Sequence, residues 1–504
     1  MMKVINKYKS MSDAVKASLW FTFSNVLLKG IAFITLPIFS RLLTTSDFGL
    51  VSVFTSWTTL FSIIATLTLW GGVFNVFLVN RHSEINKIVS TLQGLATTIT
   101  IFLSIIGFIF IETLSDLLGL PVIMTAAIFI DVLFQIPYNL WAGKQRFDYK
   151  YKAVVIISII VAILNPLIGC IAVINVDVEF RAIARVLSIV GVNVALGIFI
   201  TIVNFSKGKA FFDKIIWKSA FLFNIVLVPH YLSMEILSQS DRIMIKGICG
   251  DSSAGIYSTA YTFGMLLNLL SNAINSSYTP YVYKSIKEGK EKEIASKTNG
   301  VVLLVAIFCI ALICVAPDVF MFMLPESYYP ALSVIPPVAA GAFFMFLYPL
   351  FGSVEFYYGE KKYVTFASIT GAALNIGLNY IFIKLYGFIA AAYTTLVCYM
   401  LFSVCHYIFM KLVLKKYHKE NPYDWKFISL VSLIVSIVSV VMAILYGYNL
   451  IRWIIIAVII ILCVIFHKHL FSIVLSLFKK TTTNDNTLMN DLDKNIELDG
   501  DEKI

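Results

Sequence analysis

Residues 17–39 read ASLWFTFSNVLLKGIAFITLPIF, twenty-three residues carrying one charge, Lys29. A helix rises about 1.5 Å per residue, so roughly 20 apolar residues cross the ~30 Å hydrocarbon core of a bilayer. The run is too long for the apolar part of a signal peptide and no small-residue cleavage site follows it, so a retained first transmembrane helix is expected. Lys29 is too far from either end to reach water along its own helix. Such a charge requires a cavity or a partner.

Similar runs recur along the chain. With 59% hydrophobic and 13% charged residues, against about 25% charged in soluble domains, the apolar surplus cannot be hidden in a water-soluble core. The expected fold class is an all-α polytopic membrane protein. Spans are predicted at 16–40, 48–79, 88–111, 121–142, 153–174, 181–205, 219–239, 254–282, 298–316, 331–357, 364–383, 387–410, 427–447 and 452–470, about fourteen in all. With the first segment inside, the inner segments hold 29 Lys and Arg and the outer segments 6. Insertion retains basic loops in the cytoplasm, so both termini are expected there. The net charge of +10 is thereby a matter of topology, and no nucleic-acid partner is expected.

Seven cysteines (Cys170, Cys249, Cys309, Cys314, Cys398, Cys405, Cys463) show no CxxC pair and no metal-ligand spacing, and read as packing residues. His467-Lys468-His469 reads as a membrane-surface anchor rather than a metal pair. The segment from Thr481 to Ile504 is polar and acidic without aromatic residues, and is expected to be a disordered cytoplasmic tail. No Walker A signature is present, which argues against ATP hydrolysis within the chain.

Two stretches repeat. Ser46-Asp47-Phe48-Gly49-Leu50-Val51-Ser52 opens the second span and Ser252-Ser253-Ala254-Gly255-Ile256-Tyr257-Ser258 opens the eighth, at an offset of 206. Phe147-Asp148-Tyr149 and Phe356-Tyr357-Tyr358 follow at 209, and Leu164-Asn165 and Leu374-Asn375 at 210. A common register on equivalent segments predicts two parallel six-helix bundles with a substrate between them. The division is 1–15 cytoplasmic N-terminus, 16–205 first bundle, 206–218 cytoplasmic linker, 219–410 second bundle, 411–479 basic loop and two added helices, and 480–504 tail.

Pro37-Ile38-Phe39-Ser40-Arg41-Leu42-Leu43 running into Asp47-Phe48-Gly49, Asp241-Arg242 followed by Gly255-Ile256-Tyr257-Ser258, and Gln145-Arg146-Phe147 in an inner loop carry a resemblance. Over the first twelve spans the chain resembles the polysaccharide-export branch of the multidrug/oligosaccharidyl-lipid/polysaccharide (MOP, MATE-like) superfamily, the Wzx-type O-antigen and capsule-repeat flippases. The resemblance implies a V-shaped pair of bundles in a bacterial cytoplasmic membrane. It would move an undecaprenyl-diphosphate-linked oligosaccharide from the inner to the outer leaflet, with membrane lipid around it and a polysaccharide polymerase and a chain-length regulator as expected partners.

The charges inside spans define the candidate substrate cavity: Lys29, Arg185, Glu235 and Asp131. Lys29 suits a diphosphate or an acidic sugar; the alternative is an ion pair with Asp131 or Glu235. Arg185 follows Arg181 by four residues, so the two share a helix face, and a guanidinium fork suits phosphate. Glu235, Gln239 and Arg242 form a polar stripe in which Glu235 either exchanges a proton or pairs with a cation. Asp131 reads equally as interfacial or coupling. Arg41, Arg181, Asp241 and Arg242 lie at outer helix ends as gate or entrance candidates, an Asp241 contact with Arg242 or Lys246 being the ordinary alternative. Asn25, Asn75, Asn165, Asn193, Asn224, Asn268, Asn272, Asn275, Asn375 and Asn379 put amides inside spans, most of them expected to bond across helices, the alternative being sugar hydroxyls. Pro37, Pro137, Pro166, Pro229 and Pro349 are expected kinks.

No cofactor and no catalytic residue is expected, only coupling to H+ or Na+. The rival readings are a cation-coupled small-molecule exporter, a lipid II flippase, and a membrane enzyme such as a glycan polymerase. An enzyme of that kind would usually need a long outer loop, and the outer loops here are roughly a dozen residues at most.

Overall fold

The structure is a computed structural model that describes residues 12–465; the first eleven residues, His467-Lys468-His469 and the expected acidic tail lie outside the described residues. All regular structure among the described residues is helical. The first bundle holds α1 (Asp13–Leu42), α2 (Thr45–Thr66), α3 (Val73–Asn80), α4 (Ile85–Ile109), α5 (Ile111–Leu118), α6 (Val122–Phe147), α7 (Tyr151–Ile174) and α8 (Arg181–Gly208). Next come α9 (Lys214–Ile225), α10 (Val228–Cys249), α11 (Asp251–Gly264), α12 (Leu267–Lys287) and α13 (Glu291–Met323). The chain finishes with α14 (Ile335–Tyr357), α15 (Lys361–Tyr386), α16 (Ala390–Lys416), α17 (Trp425–Leu445) and α18 (Asn449–Ile465).

Eleven of these helices are long and apolar enough to cross a bilayer, and α9 with α10, bent by 48°, makes a twelfth. The remaining two of the fourteen expected spans do not meet that measure. The eighth is cut at Met265 and Leu266 into α11 and α12, and α18 is 17 residues long as described. The second expected span, 48–79, is also broken, between α2 and α3. Prolines do not explain these two breaks. Pro37, Pro137, Pro166 and Pro349 lie inside continuous helices, and of the five expected kinks Pro229 alone stands at a break, beside the α9–α10 bend.

The break after α2 exposes its cost in backbone terms. Leu67, Thr68 and Gly72 take positive φ angles of 50°, 49° and 41°, and the helical hydrogen bonds end there. At membrane depth no water replaces them, so protein groups must. Asn224 of α9 does so: its amide donates to the carbonyls of Leu67 (2.9 Å) and Thr68 (3.1 Å), and its oxygen accepts from the Val73 amide (3.1 Å). The side chain is fully buried.

This contact corrects the expected division at residue 219. Ile216 and Ala220 of α9 belong to the apolar cluster of Val73, Ile88 and Leu92 in the first bundle, and the Trp217 indole donates to the Thr91 carbonyl at 2.9 Å. Asp213 caps α9 through the amides of Ile215 and Ile216 and pairs with Lys87 at 2.7 Å. The hydrogen bond from Lys87 holds the Asp213 carboxyl below its ordinary value, so the cap is in place above about pH 4 and is lost only as pH falls through the lowered value. Helix α10, beyond the bend, packs on α15 of the second bundle and also on α2 of the first. The seventh span therefore belongs to both bundles.

The last two helices join the second bundle. Helix α17 packs on α13 and α14, and Arg452 of α18, fully buried, makes a two-pronged pair with Asp318 of α13 at 2.6 and 3.1 Å. Replacing Asn224 by Ala leaves the Leu67 carbonyl and the Val73 amide of a broken helix unpaired, while the Thr68 carbonyl keeps the Gly71 amide. At about 1–3 kcal/mol for each of these two buried groups, the expected loss is roughly 2–6 kcal/mol. It is read as a lowered unfolding temperature of the full chain in detergent, and an unchanged midpoint would show that the break is held by other contacts.

Candidate functional site

Between the bundles the repeated sequence meets itself. Helices α2 and α11 lie against one another, and their hydroxyl bonds tie the repeats together: Ser52 Oγ to its repeat equivalent Ser258 Oγ at 2.6 Å, and Thr45 Oγ1 to Ser252 Oγ at 2.7 Å, one residue out of that register. The approach is close enough to require glycine. A Cβ on Gly49 would fall on the Asp251 carbonyl, and one on Gly255 would fall on the Thr45 carbonyl. Reciprocal contacts of this kind define a local two-fold, here made by small residues that let two backbones touch.

Around this contact one end of the molecule is closed. Val53, Phe54 and Met124 of the first bundle share an apolar cluster with Tyr257, Phe320 and Tyr328 of the second. Phe33 packs edge-on against Phe263 with ring centres 4.9 Å apart, and the Arg41 guanidinium donates to the Met323 carbonyl at 2.6 Å.

At the opposite end, the one that carries Asp13, the bundles part around a cavity of about 660 Å³. Phe21, Asn25 and Lys29 come from α1, Arg146 from the last turn of α6, Tyr149 from the residues after it, and Asn272 and Ser276 from α12. Lys29 is exposed in this space and forms no ion pair among the described residues, so neither expected pairing, with Asp131 or with Glu235, is made. Arg146 is also exposed, its guanidinium 6.0 Å from the centre of the Phe21 ring. The lining contains no carboxylate. Two cations with no acidic neighbour attract an anion; at about 6 Å and an effective dielectric near 20 each contributes roughly 3 kcal/mol. The amides of Asn25 and Asn272 and the Ser276 hydroxyl supply hydrogen bonds of the kind sugar hydroxyls use.

The other sequence candidates lie elsewhere. Asp131 is buried between α6 and α8, accepting from Asn193 Nδ2 at 2.7 Å and Gln135 Nε2 at 2.6 Å. Arg185 stays inside the first bundle, 4.1 Å from the centre of the Phe39 ring and donating to the Asn165 carbonyl and Ser188 Oγ, both at 3.2 Å. Glu235 accepts from Ser238 Oγ at 3.2 Å; in the same stripe Gln239 accepts from Ser56 of α2 at 3.3 Å, across the interface between the bundles. Arg181 donates to the Leu42 carbonyl at 3.0 Å. Arg242 donates to the Gln239 side chain at 2.9 Å and lies over Tyr261.

Asp241 is not at an entrance. It is 0% exposed inside the second bundle, where Tyr257 Oη and Asn379 Nδ2 donate to it at 2.6 Å and Thr395 Oγ1 at 2.9 Å. Lys246 pairs with Asp251 instead. Arg146, by contrast, was legible as part of Gln145-Arg146-Phe147 but read as loop. The signal that would have moved it is the length of α6, which runs five residues beyond the predicted end at 142 to Phe147 and carries the guanidinium to the cavity.

A Ser52→Cys, Ser258→Cys double variant is expected to cross-link under mild oxidation, joining the two bundles. The readout is co-migration of the halves on a gel after cleavage at a protease site placed in the connection before α9. Adding Gly255→Val is expected to abolish the cross-link, and persistence of the bond in that variant would refute the close approach of α2 and α11.

A family model described as polysaccharide biosynthesis protein matches residues 14–285. An uncharacterized membrane protein of Haemophilus influenzae is 24% identical over 374 residues, covering 72% of this chain and 89% of that protein. Among solved structures, the lipid II flippase MurJ in an inward closed conformation aligns with a TM-score of 0.65 at 15% identity, over 91% of this chain and 100% of that one. A multidrug resistance MATE family transporter of the MOP superfamily in an inward-facing conformation aligns at 0.59 with 14% identity, over 77% and 95%. The chain thus shares the multi-pass helical fold of these two proteins.

Proposed function

The chain belongs to the polysaccharide biosynthesis protein family, and on that premise we propose that it is a flippase for a lipid-linked oligosaccharide. The cargo is an undecaprenyl-diphosphate-linked glycan repeat unit, carried from the inner to the outer leaflet of a bacterial cytoplasmic membrane for a surface polysaccharide such as O-antigen, capsule or exopolysaccharide. The observation that carries this reading is the carboxylate-free cavity with Lys29 and Arg146 unpaired inside it.

A diphosphate brings the negative charge that these cations lack, and the amides and hydroxyl beside them suit a glycan. The excess of Lys and Arg in the inner segments, 29 against 6, supports a cytoplasmic location for both termini and for the cavity mouth. The polyprenyl tail stays in the bilayer while the two bundles rock about the α9–α10 bend, so the sealed end opens as the open end closes. The protein breaks no covalent bond. A polysaccharide polymerase and a chain-length regulator are the partners that would receive the product, and H+ or Na+ coupling is the energy source compatible with the absence of a nucleotide motif.

The lining disfavours a cation-coupled exporter of drug-like cations, because Lys29 and Arg146 repel such a cargo. A lipid II flippase would share the diphosphate, and the cargo assay separates the two. In a flippase-deficient strain the wild-type chain is expected to restore surface glycan. At matched expression Lys29→Ala and Arg146→Ala are each expected to lower delivery by about tenfold, the loss of one charge-assisted hydrogen bond, with lipid-linked intermediates accumulating inside. Lys29→Arg keeps the charge and is expected to retain most delivery. Drug efflux without glycan delivery would replace this reading with the exporter.

A further inference from the structure

The residues that end α6 make a helix stop of a defined kind. The Tyr149 amide donates to the Arg146 carbonyl at 3.2 Å and the Lys150 amide to the Gln145 carbonyl at 2.8 Å. This pair of bonds needs a left-handed residue at the first donor, and Tyr149 has φ 55°. A side chain is disfavoured in that conformation, where glycine is free. The same pair of bonds closes α12 at Gly289 and α14 at Gly359, with φ 68° and 74°. Gly359 stands 210 residues after Tyr149, the offset that relates Leu164-Asn165 to Leu374-Asn375. The chain's own repeat thus uses glycine for this stop, and the first bundle carries a tyrosine. A third side chain at such a stop, His418 after α16, is exposed and lies outside the cavity lining.

The side chains before Tyr149 in the turn are held by protein. Phe147 packs on His82 with ring centres 5.3 Å apart, and Asp148 pairs with Lys150 at 3.0 Å and lies 3.4 Å from His82 Nε2. Tyr149 is 52% exposed and lines the cavity between the bundles, and neither its ring nor its hydroxyl has a partner among the described residues. Tyr358, its match along the chain at offset 209, stacks on Tyr417 with ring centres 4.5 Å apart. In the second bundle the tyrosine precedes the left-handed residue and is covered. In the first it is the left-handed residue, and its ring is open to the cavity. A tyrosine of the interfacial belt faces lipid, whereas this one shares its space with Arg146, about one helical turn earlier, and with Lys29.

We propose that Tyr149 is a sugar-stacking subsite, its ring receiving the C–H face of the pyranose bonded to the diphosphate that Lys29 and Arg146 attract. One face of a pyranose is a patch of C–H groups, which packs on the electron-rich face of an aromatic ring. The left-handed backbone sets the direction in which the ring leaves the helix end, and the strain is retained where it serves a site. Stacking needs the ring and not the hydroxyl, so phenylalanine serves at this position and glycine does not. The proposal deepens the flippase reading by naming the sugar next to the diphosphate as the second group recognised, and it rests on that reading for its ligand.

The test uses the full chain in lipid nanodiscs with two soluble probes, glucose 1-phosphate and inorganic pyrophosphate. Saturation-transfer NMR reads contact with the sugar C–H protons, and phosphorus line width follows pyrophosphate. The wild type and Tyr149→Phe are expected to transfer saturation to the ring protons. Tyr149→Gly is expected to lose that transfer and to weaken the Kd for the sugar phosphate by about fivefold, the size of one aromatic contact, with pyrophosphate binding unchanged. Glycine is the residue the backbone favours here, so a purely structural role for position 149 predicts a Tyr149→Gly protein at least as good as the wild type. A Tyr149→Gly chain that keeps the transfer, or a wild type that binds pyrophosphate and shows none, overturns the subsite. Should that variant not elute as a single species, Tyr149→Leu keeps bulk without a ring and is expected to lose the transfer, and its persistence there equally refutes the proposal. A wild type that binds neither probe refutes the anion cavity of the flippase reading as well.

Discussion

The contact of α2 with α11 is the constraint on which the rest depends. Two helices can approach until backbone meets backbone only where side chains vanish, and Gly49 and Gly255 vanish at equivalent places in the two repeats. Hydroxyl pairs at Thr45–Ser252 and Ser52–Ser258 then fix the register. In a bilayer there is little hydrophobic gain from pressing one apolar helix on another, so close packing and hydrogen bonds supply the adhesion. Closing one end in this way leaves the other end free to open.

The opening has chemical character because of what is missing from it. Several internal charges elsewhere are paired: Arg452 with Asp318, Asp131 with two amides, Asp241 with three donors. Lys29 and Arg146 receive no such treatment and stand in a cavity of about 660 Å³. Burying a charge without a partner is expensive, and here the two cations remain exposed to the open space, which keeps them available to an anion.

Broken helices connect the seal to the cavity. The gap after α2, the bend at α9–α10 and the break between α11 and α12 all fall in spans at the interface, where irregular backbone can be protected by protein. Asn224 spans the first of these and ties the arm of the second to it. The seventh span is thus bonded to the first bundle at its start, and beyond the bend it lies between α15 of the second bundle and α2 of the first.

The class of protein was legible from the run 17–39 and its many successors, because the thickness of a bilayer imposes a length on any apolar helix that crosses it. The repeat was legible for a related reason: Gly49 and Gly255 stand at one offset with their flanking serines. Lys29 was visible as a lone charge in mid-span. Arg146, the breaks without proline, the burial of Asp241 and the open ring of Tyr149 were not. Tyr149 and Tyr358 match along the chain, and nothing there marks which ring faces a cavity and which stacks on Tyr417. Apolar periodicity records which stretches leave water. Which polar groups then face one another, and which are left facing a cavity, depends on how helices rotate and cross, and only the tertiary structure decides that.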